Sequence, residues 1–324
     1  IGDMENLETF EHYEGSIALY ERLFETAPHI VAHDLHPDYL ATQYARERGE
    51  REKAHVVAVQ HHHAHIASCL VDNGRALQAE PVIGVCFDGT GYGPDGNIWG
   101  GEFLICDYRQ SNRAARLQYL PLVGGDAAAR QPSRLAVGYL YALFGDGLHG
   151  VSPHAELRRT MTQEEVELVQ RQIERRINSP LTSSAGRLFD AVAALLGVRQ
   201  YITYEAQAAI ELETWAADIE AKGYRSGDLY PIPLTERDSV RVLELRPLFA
   251  DILMDLAIGR RPGEIAWIFH RSLAHAAAQT CRHIGPGSDR RARHGPSRRS
   301  CMKEQLHCVF GCSDTDQMHQ RRTR

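Results

Sequence analysis

The run Val82-Ile83-Gly84-Val85-Cys86-Phe87 constrains this chain more than any other stretch, because it is apolar almost without interruption. A strand with one face in water alternates polar and apolar residues. An unbroken run is covered on both faces, as in a sheet with further layers above and below it. The run breaks at Asp88-Gly89-Thr90-Gly91-Tyr92-Gly93. Around it, the β-branched segment 56–59 and the segments 30–32, 99–107 and 116–122 read as strands, some joined by hairpins. Helical character is expected over 6–24, 38–48 and 66–71. After Gly124-Gly125-Asp126 it dominates, over 133–144, 164–177, 187–196, 205–219, 248–258 and 263–283. Strands first and helices later indicate an α/β or α+β lobe with a large helical insertion.

At 324 residues the chain is long enough for one two-lobed unit or two domains. No apolar run approaches the roughly 20 residues of a membrane-spanning helix. The acidic opening Ile1-Gly2-Asp3-Met4-Glu5 lacks the basic-then-apolar order of a secretion signal, and the start without Met reads as an excised piece of something longer. A net charge of −6 argues against a nucleic-acid-coating protein. The seven cysteines form no tight framework, which suits a reducing, cytoplasmic setting. Cys69, Cys86 and Cys106 sit in apolar surroundings and read as small buried hydrophobes. From 285 to 324 the character changes: nine basic residues stand against four acidic ones, with no apolar periodicity, the composition of a disordered tail. Cys301, Cys308 and Cys312 with His307 match no paired zinc-knuckle spacing.

Three places could carry chemistry. In His61-His62-His63-Ala64-His65, residues 61 and 65 are four apart, so on a helix they share a face and can hold one metal. The alternative is a surface histidine tract. Two histidines do not complete a site, so a further ligand, a carboxylate by chemistry, has to come from elsewhere. In Asp88-Gly89-Thr90-Gly91 the glycines let backbone approach a phosphate, with Asp88 orienting a cation or water; a tight Asx-stabilised turn is the other reading. It is not a P-loop. In Ser183-Ser184-Ala185-Gly186-Arg187-Leu188-Phe189-Asp190 the serines cap a helix, Gly186 leaves its amino end open to a ligand, and Asp190 lies one turn on, where it could accept from a ribose hydroxyl; an ordinary capped core helix explains the same pattern. Glu205 opens a further helix, and Asp126, Arg130 and Arg134 could meet an anion.

Taken in order, several runs resemble the HypF family of [NiFe]-hydrogenase maturation carbamoyltransferases. They are Ile1-Gly2-Asp3-Met4-Glu5-Asn6-Leu7-Glu8-Thr9, Ala32-His33-Asp34-Leu35-His36-Pro37-Asp38-Tyr39, Val59-Gln60-His61-His62-His63-Ala64-His65-Ile66-Ala67, Phe87-Asp88-Gly89-Thr90-Gly91-Tyr92-Gly93, Trp99-Gly100-Gly101-Glu102-Phe103 and Ser183-Ser184-Ala185-Gly186-Arg187-Leu188-Phe189-Asp190. The likeness covers about Ile1 to Cys281. It implies an α/β fold of the actin/sugar-kinase/Hsp70 (ribonuclease H-like) class, related to TsaD-type tRNA threonylcarbamoyl transferases and antibiotic O-carbamoyltransferases. It also implies a carbamoyltransferase domain, over 1–284, that passes the carbamoyl group of carbamoyl-adenylate, made from carbamoyl phosphate and ATP, to the C-terminal cysteine of the partner HypE. That thiocarbamate is later dehydrated to cyanide.

By the same resemblance His61 and His65 are ligands of a divalent metal, iron or zinc. Asp88, Gly89, Thr90, Gly91, Gly186, Asp190 and Glu205 face the nucleotide, and no nucleophile on this chain is needed. Acylphosphatase-like, zinc-finger and YrdC-like domains would precede it in the same polypeptide. The family's later glycine-rich nucleotide loop and third metal ligand have no match after His283. The expectation is therefore two of three metal ligands, a half-complete nucleotide cleft and a tail of the kind a frameshift gives. A small-molecule O-carbamoyltransferase and an inactive partner-docking fragment are the alternatives.

Overall fold

The computed structural model describes residues 6–145, Leu157, 160–285 and the pair Cys308–Val309. The basic tail therefore lies, apart from Gly285 and that pair, outside the described residues. Helix α1 (Leu7–Leu23) starts on an Asn6 cap and buries none of its residues. Strands β1 (Ile30–Asp34) and β2 (His55–Val59) pair in parallel, from Ile30 opposite His55 to Asp34 opposite Val59. Helix α2 (Leu40–Glu52) crosses between them. Its Gly49 packs so tightly on β2 that a Cβ there would fall 2.1 Å from Val56 Cγ2. Helix α3 (His61–Asp72) follows β2 after a single residue, Gln60, whose side-chain oxygen caps it by accepting from the His63 amide.

The main sheet is an antiparallel meander of β3 (Val82–Tyr92), β4 (Ile98–Cys106) and β5 (Ser111–Leu117). Two short strands, β6 (Leu120–Pro121) and β7 (Leu181–Thr182), pair with each other, and β7 also pairs with the start of β4. Beyond β5 the sheet continues into β8 (Leu234–Arg237) and β9 (Val240–Leu243), with β9 parallel to β5. Strand β10 (Cys308–Val309) lies parallel to β3 on the other edge. The helical part comprises α4 (Asp126–Arg130), α5 (Pro132–Phe144), α6 (Gln163–Glu174), α7 (Ala185–Leu195), α8 (Gln207–Ala221), α9 (Arg246–Ala257) and α10 (Pro262–Ile284).

The unbroken apolar run behaves as its composition demands. Val85 and Phe103 enter the large core with Leu188, Leu195, Phe249 and Phe269, whereas their neighbours Cys86 and Leu104 join Ile66, Leu70 and Trp99 beneath α3. The sheet is thus covered on both faces. Each fully buried side chain of this size stabilises the fold by about 1.5–3 kcal/mol. Helix α7 runs through the middle of the core, with Leu188 and all of Ala191–Leu195 at 0% exposure. Cys86, Cys106 and Cys281 are free and buried, and Cys69 is partly so.

Two departures from the expected elements matter. Strand β3 does not end at Phe87: pairing with β4 lapses there and resumes at Gly91 opposite Trp99, a bulge that carries Asp88-Gly89-Thr90. The β8–β9 hairpin was not foreseen. Its turn residues Asp238 and Ser239 take φ of 51° and 67°, a conformation normally signalled by Asn-Gly, which this turn lacks.

Candidate functional site

The site lies where β1, β2 and β3 deliver three side chains to one point. Asp34 is the last residue of β1 and His61 the first of α3. The β3 bulge turns Asp88 toward them. Asp88 Oδ2 sits 3.1 Å from His61 Nε2 and 3.7 Å from His65 Nε2. The two Nε2 atoms lie 3.1 Å apart. Because α3 begins at His61 itself, the four-residue spacing puts both rings on one helical face. His61, His65 and Asp88 together present three ligand atoms within 4.8 Å of one another, the arrangement of a cation site.

Neighbours set the orientation of each ring. His61 Nδ1 donates to Asp34 Oδ2 at 2.9 Å, which directs Nε2 at the cluster. Asp34 is held in turn by the His36 amide at 2.8 Å. Gln60 accepts from the His63 amide, so its NH2 group donates to His62 Nδ1 and to the Tyr92 carbonyl. That leaves the His62 proton on Nε2, 3.6 Å from Asp88 Oδ2. His63 faces away and bonds the Asp107 carbonyl. Gly91 is small of necessity: a Cβ on it would lie 2.4 Å from His62 Cε1 and 3.1 Å from His61 Cδ2.

The electrostatics follow. Hydrogen bonding to Asp34, then the proximity of Asp88, raises the His61 pKa to about 9. Burial pushes His62 down to about 4 and also lowers His65, helped by the charge on His61. Burial alone would raise Asp88, but the facing imidazoles prevail and hold it below the usual carboxylate range. Asp88 Oδ2 and His62 Nε2 are both buried without an aligned hydrogen-bond partner. Buried polar atoms normally have partners. Two imidazole nitrogens and a carboxylate oxygen converging with one of them orphaned fit a divalent cation, iron or zinc alike by donor type.

The second chemical element joins directly. Ser184 caps α7 by accepting from the Arg187 amide at 3.1 Å, and its hydroxyl donates to the Asp88 carbonyl at 2.8 Å. A Cβ on Gly186 would meet Gly89 Cα at 3.0 Å, so the amino end of α7 lies against the bulge. Behind this joint Glu102, at 0% exposure, accepts from Arg113 at 2.6 Å and from the Ser183 hydroxyl. Arg113 in turn lies 3.9 Å over the Trp99 ring.

A cleft of about 330 Å³ opens beside the bulge, lined among others by Gly89, Thr90, Gly124, Gly125, Asn178 and Arg187. A larger cavity of about 560 Å³ between α8 and α10 touches neither the histidine cluster nor the bulge, whereas Gly89 and Thr90 of the bulge line the smaller one. The chemistry therefore points to the smaller one.

Set against the sequence expectations, His61, His65, Asp88, Gly89, Thr90, Gly91 and Gly186 come together. Asp190 is 1% exposed and faces Arg187 rather than the cleft. Glu205 is exposed, in the turn before α8, and lines neither cavity. Asp88, read as part of a phosphate loop that orients a cation or water, stands beside the two histidines, so three potential ligand atoms converge where the sequence offered a histidine pair. The signal was the aspartate that ends the most continuously apolar run of the sequence, but the bulge that aims it is not visible in sequence. Asp34 and His62 were missed altogether as members of the site.

Comparison with known proteins gives a consistent picture. The family model described as HypF Kae1-like domain matches residues 1–72, and that described as carbamoyltransferase, Kae1-like domain, second subdomain, matches residues 84–291. Carbamoyltransferase HypF of Rhodobacter capsulatus is 39% identical over 287 residues, covering 88% of this chain and 36% of that protein. Its counterpart in Synechocystis sp. is 35% identical over 285 residues, covering 85% of this chain and 36% of that protein. A solved structure of full-length HypF in the phosphate- and nucleotide-bound form superposes with a TM-score of 0.77 at 36% identity, over 88% of this chain and 42% of that one. The chain thus spans about 36% of the length of these two curated relatives. The α/β fold is of the actin/sugar-kinase/Hsp70, ribonuclease H-like class. Among the described residues no helix is long and apolar enough to cross a membrane.

Proposed function

The chain belongs to the HypF carbamoyltransferase family, and from that premise we propose that residues 1–284 form a carbamoyl-transfer domain acting on carbamoyl-adenylate and the C-terminal cysteine of HypE. The observation that carries this reading is the meeting of the His61/His65/Asp88 cluster with the joint between the β3 bulge and α7. A thiolate attacks the carbamoyl carbon, a C–S bond forms, the C–O bond of the mixed anhydride breaks, and AMP leaves with the electron pair. The thiol proton goes to solvent. The nucleophile belongs to the partner, so this chain needs only to bind, orient and stabilise charge.

Each residue then has a task. His61, His65 and Asp88 would hold a divalent metal, with Asp34 fixing the ring of His61. Such a metal supplies Lewis acidity, stabilising the negative charge on the phosphate or the carbamoyl oxygen. Gly89 and Thr90 would give the nucleotide face, where side chains are small or absent and the substrate can come close to backbone, while Gly91 and Gly186 let the histidine rings and the start of α7 pack against the bulge behind it. Asp190 and Glu205 lie outside that face in this arrangement. Preceding YrdC-like, zinc-finger and acylphosphatase-like domains in the same polypeptide would make the adenylate, in a cytoplasmic setting.

The test is direct. The chain is mixed with carbamoyl-adenylate and HypE, and the HypE C-terminal peptide is read by mass spectrometry for the carbamoyl adduct. An adduct that disappears in the His61→Ala/His65→Ala variant supports the reading. Tight HypE binding with no adduct overturns the catalytic reading for this chain.

A further inference from the structure

We propose that Arg187 and the cleft it lines form an oxyanion subsite that takes the phosphate of a nucleoside monophosphate; the identity of the ligand rests on the function proposed above. Nothing in the sequence reading gave Arg187 a role, yet its position is unusual. It is 7% exposed, in the first turn of α7, a helix with nine of its eleven residues buried. A buried guanidinium has five N–H donors to satisfy. Among the described residues the side chain of Arg187 makes one hydrogen bond, to the Ala129 carbonyl at 3.5 Å. Its Nε lies 3.3 Å from Asp190 Oδ2 without hydrogen-bond alignment, and both atoms are buried and otherwise unpartnered. Asp190 therefore balances the charge and leaves most of the donors unused.

Those donors face a prepared space. Arg187 Nη2 lies 3.5 Å from where a Cβ on Gly89 would stand, so the guanidinium reaches the bulge that carries Asp88. Among the described residues Arg187 is the single charged one in the lining of the 330 Å³ cleft. Thr90 and Asn178 add a hydroxyl and an amide, while Ile98, Leu122 and Pro180 give apolar walls that thin the competing water. A planar guanidinium with free parallel N–H groups recognises two oxygens of one anion at once. A phosphate satisfies it and, seated there, has the Asp88 bulge as its immediate neighbour.

The experiment uses the full 324-residue chain and three probes, AMP, adenosine and inorganic phosphate, titrated calorimetrically into the parent, Arg187→Gln and Arg187→Lys. AMP binding should weaken by about 10- to 100-fold in Arg187→Gln, the worth of hydrogen bonds to a charged group. It should weaken less in Arg187→Lys, which keeps the charge but not the fork, and adenosine binding should stay the same in all three. AMP affinity unchanged in Arg187→Gln overturns the subsite and leaves the nucleotide reading standing. A parent that binds phosphate but neither AMP nor adenosine overturns the nucleotide reading, and the subsite then stands if Arg187→Gln loses phosphate. A parent that binds neither AMP nor phosphate overturns both. If Arg187→Gln fails to fold because Asp190 is left unbalanced, the Arg187→Gln/Asp190→Asn pair removes both charges and is read in the same way.

Discussion

Gly91→Ala is the sharpest probe of the histidine cluster, because the substitution changes one thing. Gly91 pairs with Trp99 as an ordinary strand residue and is not among the glycines with positive φ, so alanine can adopt its backbone conformation. The whole cost is steric. The added carbon would stand 2.4 Å from His62 Cε1, 3.0 Å from His62 Nε2 and 3.1 Å from His61 Cδ2. His62 has 0% exposure and cannot swing into solvent. If the rings hold their places, overpacking should destabilise the chain by about 1–3 kcal/mol, which for a unit of this size lowers Tm by roughly 2–4 °C per kcal/mol. If the rings yield instead, stability is kept but His61 moves off Asp88 and affinity for zinc falls. The assay is paired: thermal unfolding of the metal-free chain, and zinc titration by competition with a chelating dye. Gly15→Ala is the control, since nothing lies within 4 Å of a Cβ there and the site is helical; it should stabilise by about 0.5–1 kcal/mol. A Gly91→Ala chain with the parent's Tm and the parent's zinc affinity would refute the packing described around the cluster.

Asp34→Asn should leave Tm nearly unchanged and weaken zinc binding by about 10- to 100-fold, the usual cost of losing the partner that orients a ligating imidazole; the dye competition assay reads it directly. Ser184→Ala removes the α7 cap and the tie to the Asp88 carbonyl together, and urea unfolding should show a loss of about 0.5–2 kcal/mol. Tyr230→Phe strips the hydroxyl that donates to Asp255 at 2.6 Å in a buried site where Arg260 also meets that carboxylate at 3.0 Å. The unfolding free energy should fall by about 1–3 kcal/mol with zinc affinity unaltered, and a Tyr230→Phe chain as stable as the parent would show that this network is idle.

Much of the layout was legible because hydrophobic pattern governs it. The run 82–87 was read as covered on both faces, and Val85 and Cys86 do enter different cores. Helices α5 to α10 appear close to their expected bounds, since each carries a strong apolar face. What escaped was set by geometry that pattern does not encode. The β3 bulge depends on the register of pairing with β4, which the apolar pattern along one strand does not report, so the Asp88-Gly89-Thr90-Gly91 segment read as the end of a strand. The β8–β9 turn uses two residues with side chains in the left-handed region. Helix α3 begins five residues earlier than expected, at His61, because Gln60 caps it, and glutamine is not a strong capping signal. That shift matters: only with the helix begun at His61 does the 61/65 spacing become a shared face.

The convergence of Asp88 on the two histidines sets the part of the fold on which a metal would depend. Every side chain of the cation cluster and its supports, Asp34, Gln60, His61, His62, His65 and Asp88, comes from one stretch, 34–88, folded as β1-α2-β2-α3-β3. The cleft, by contrast, is assembled from the bulge, the Gly124-Gly125 turn, Asn178 and the start of α7, brought together across the sheet. Metal binding and anion binding therefore rest on different parts of the fold and need not fail together. Damage to the helical part, such as Ser184→Ala, should reach the anion side first, while zinc affinity follows the local unit. Simultaneous equal loss of both in that variant would mean that the Ser184–Asp88 tie, and not the local unit, holds the carboxylate in place.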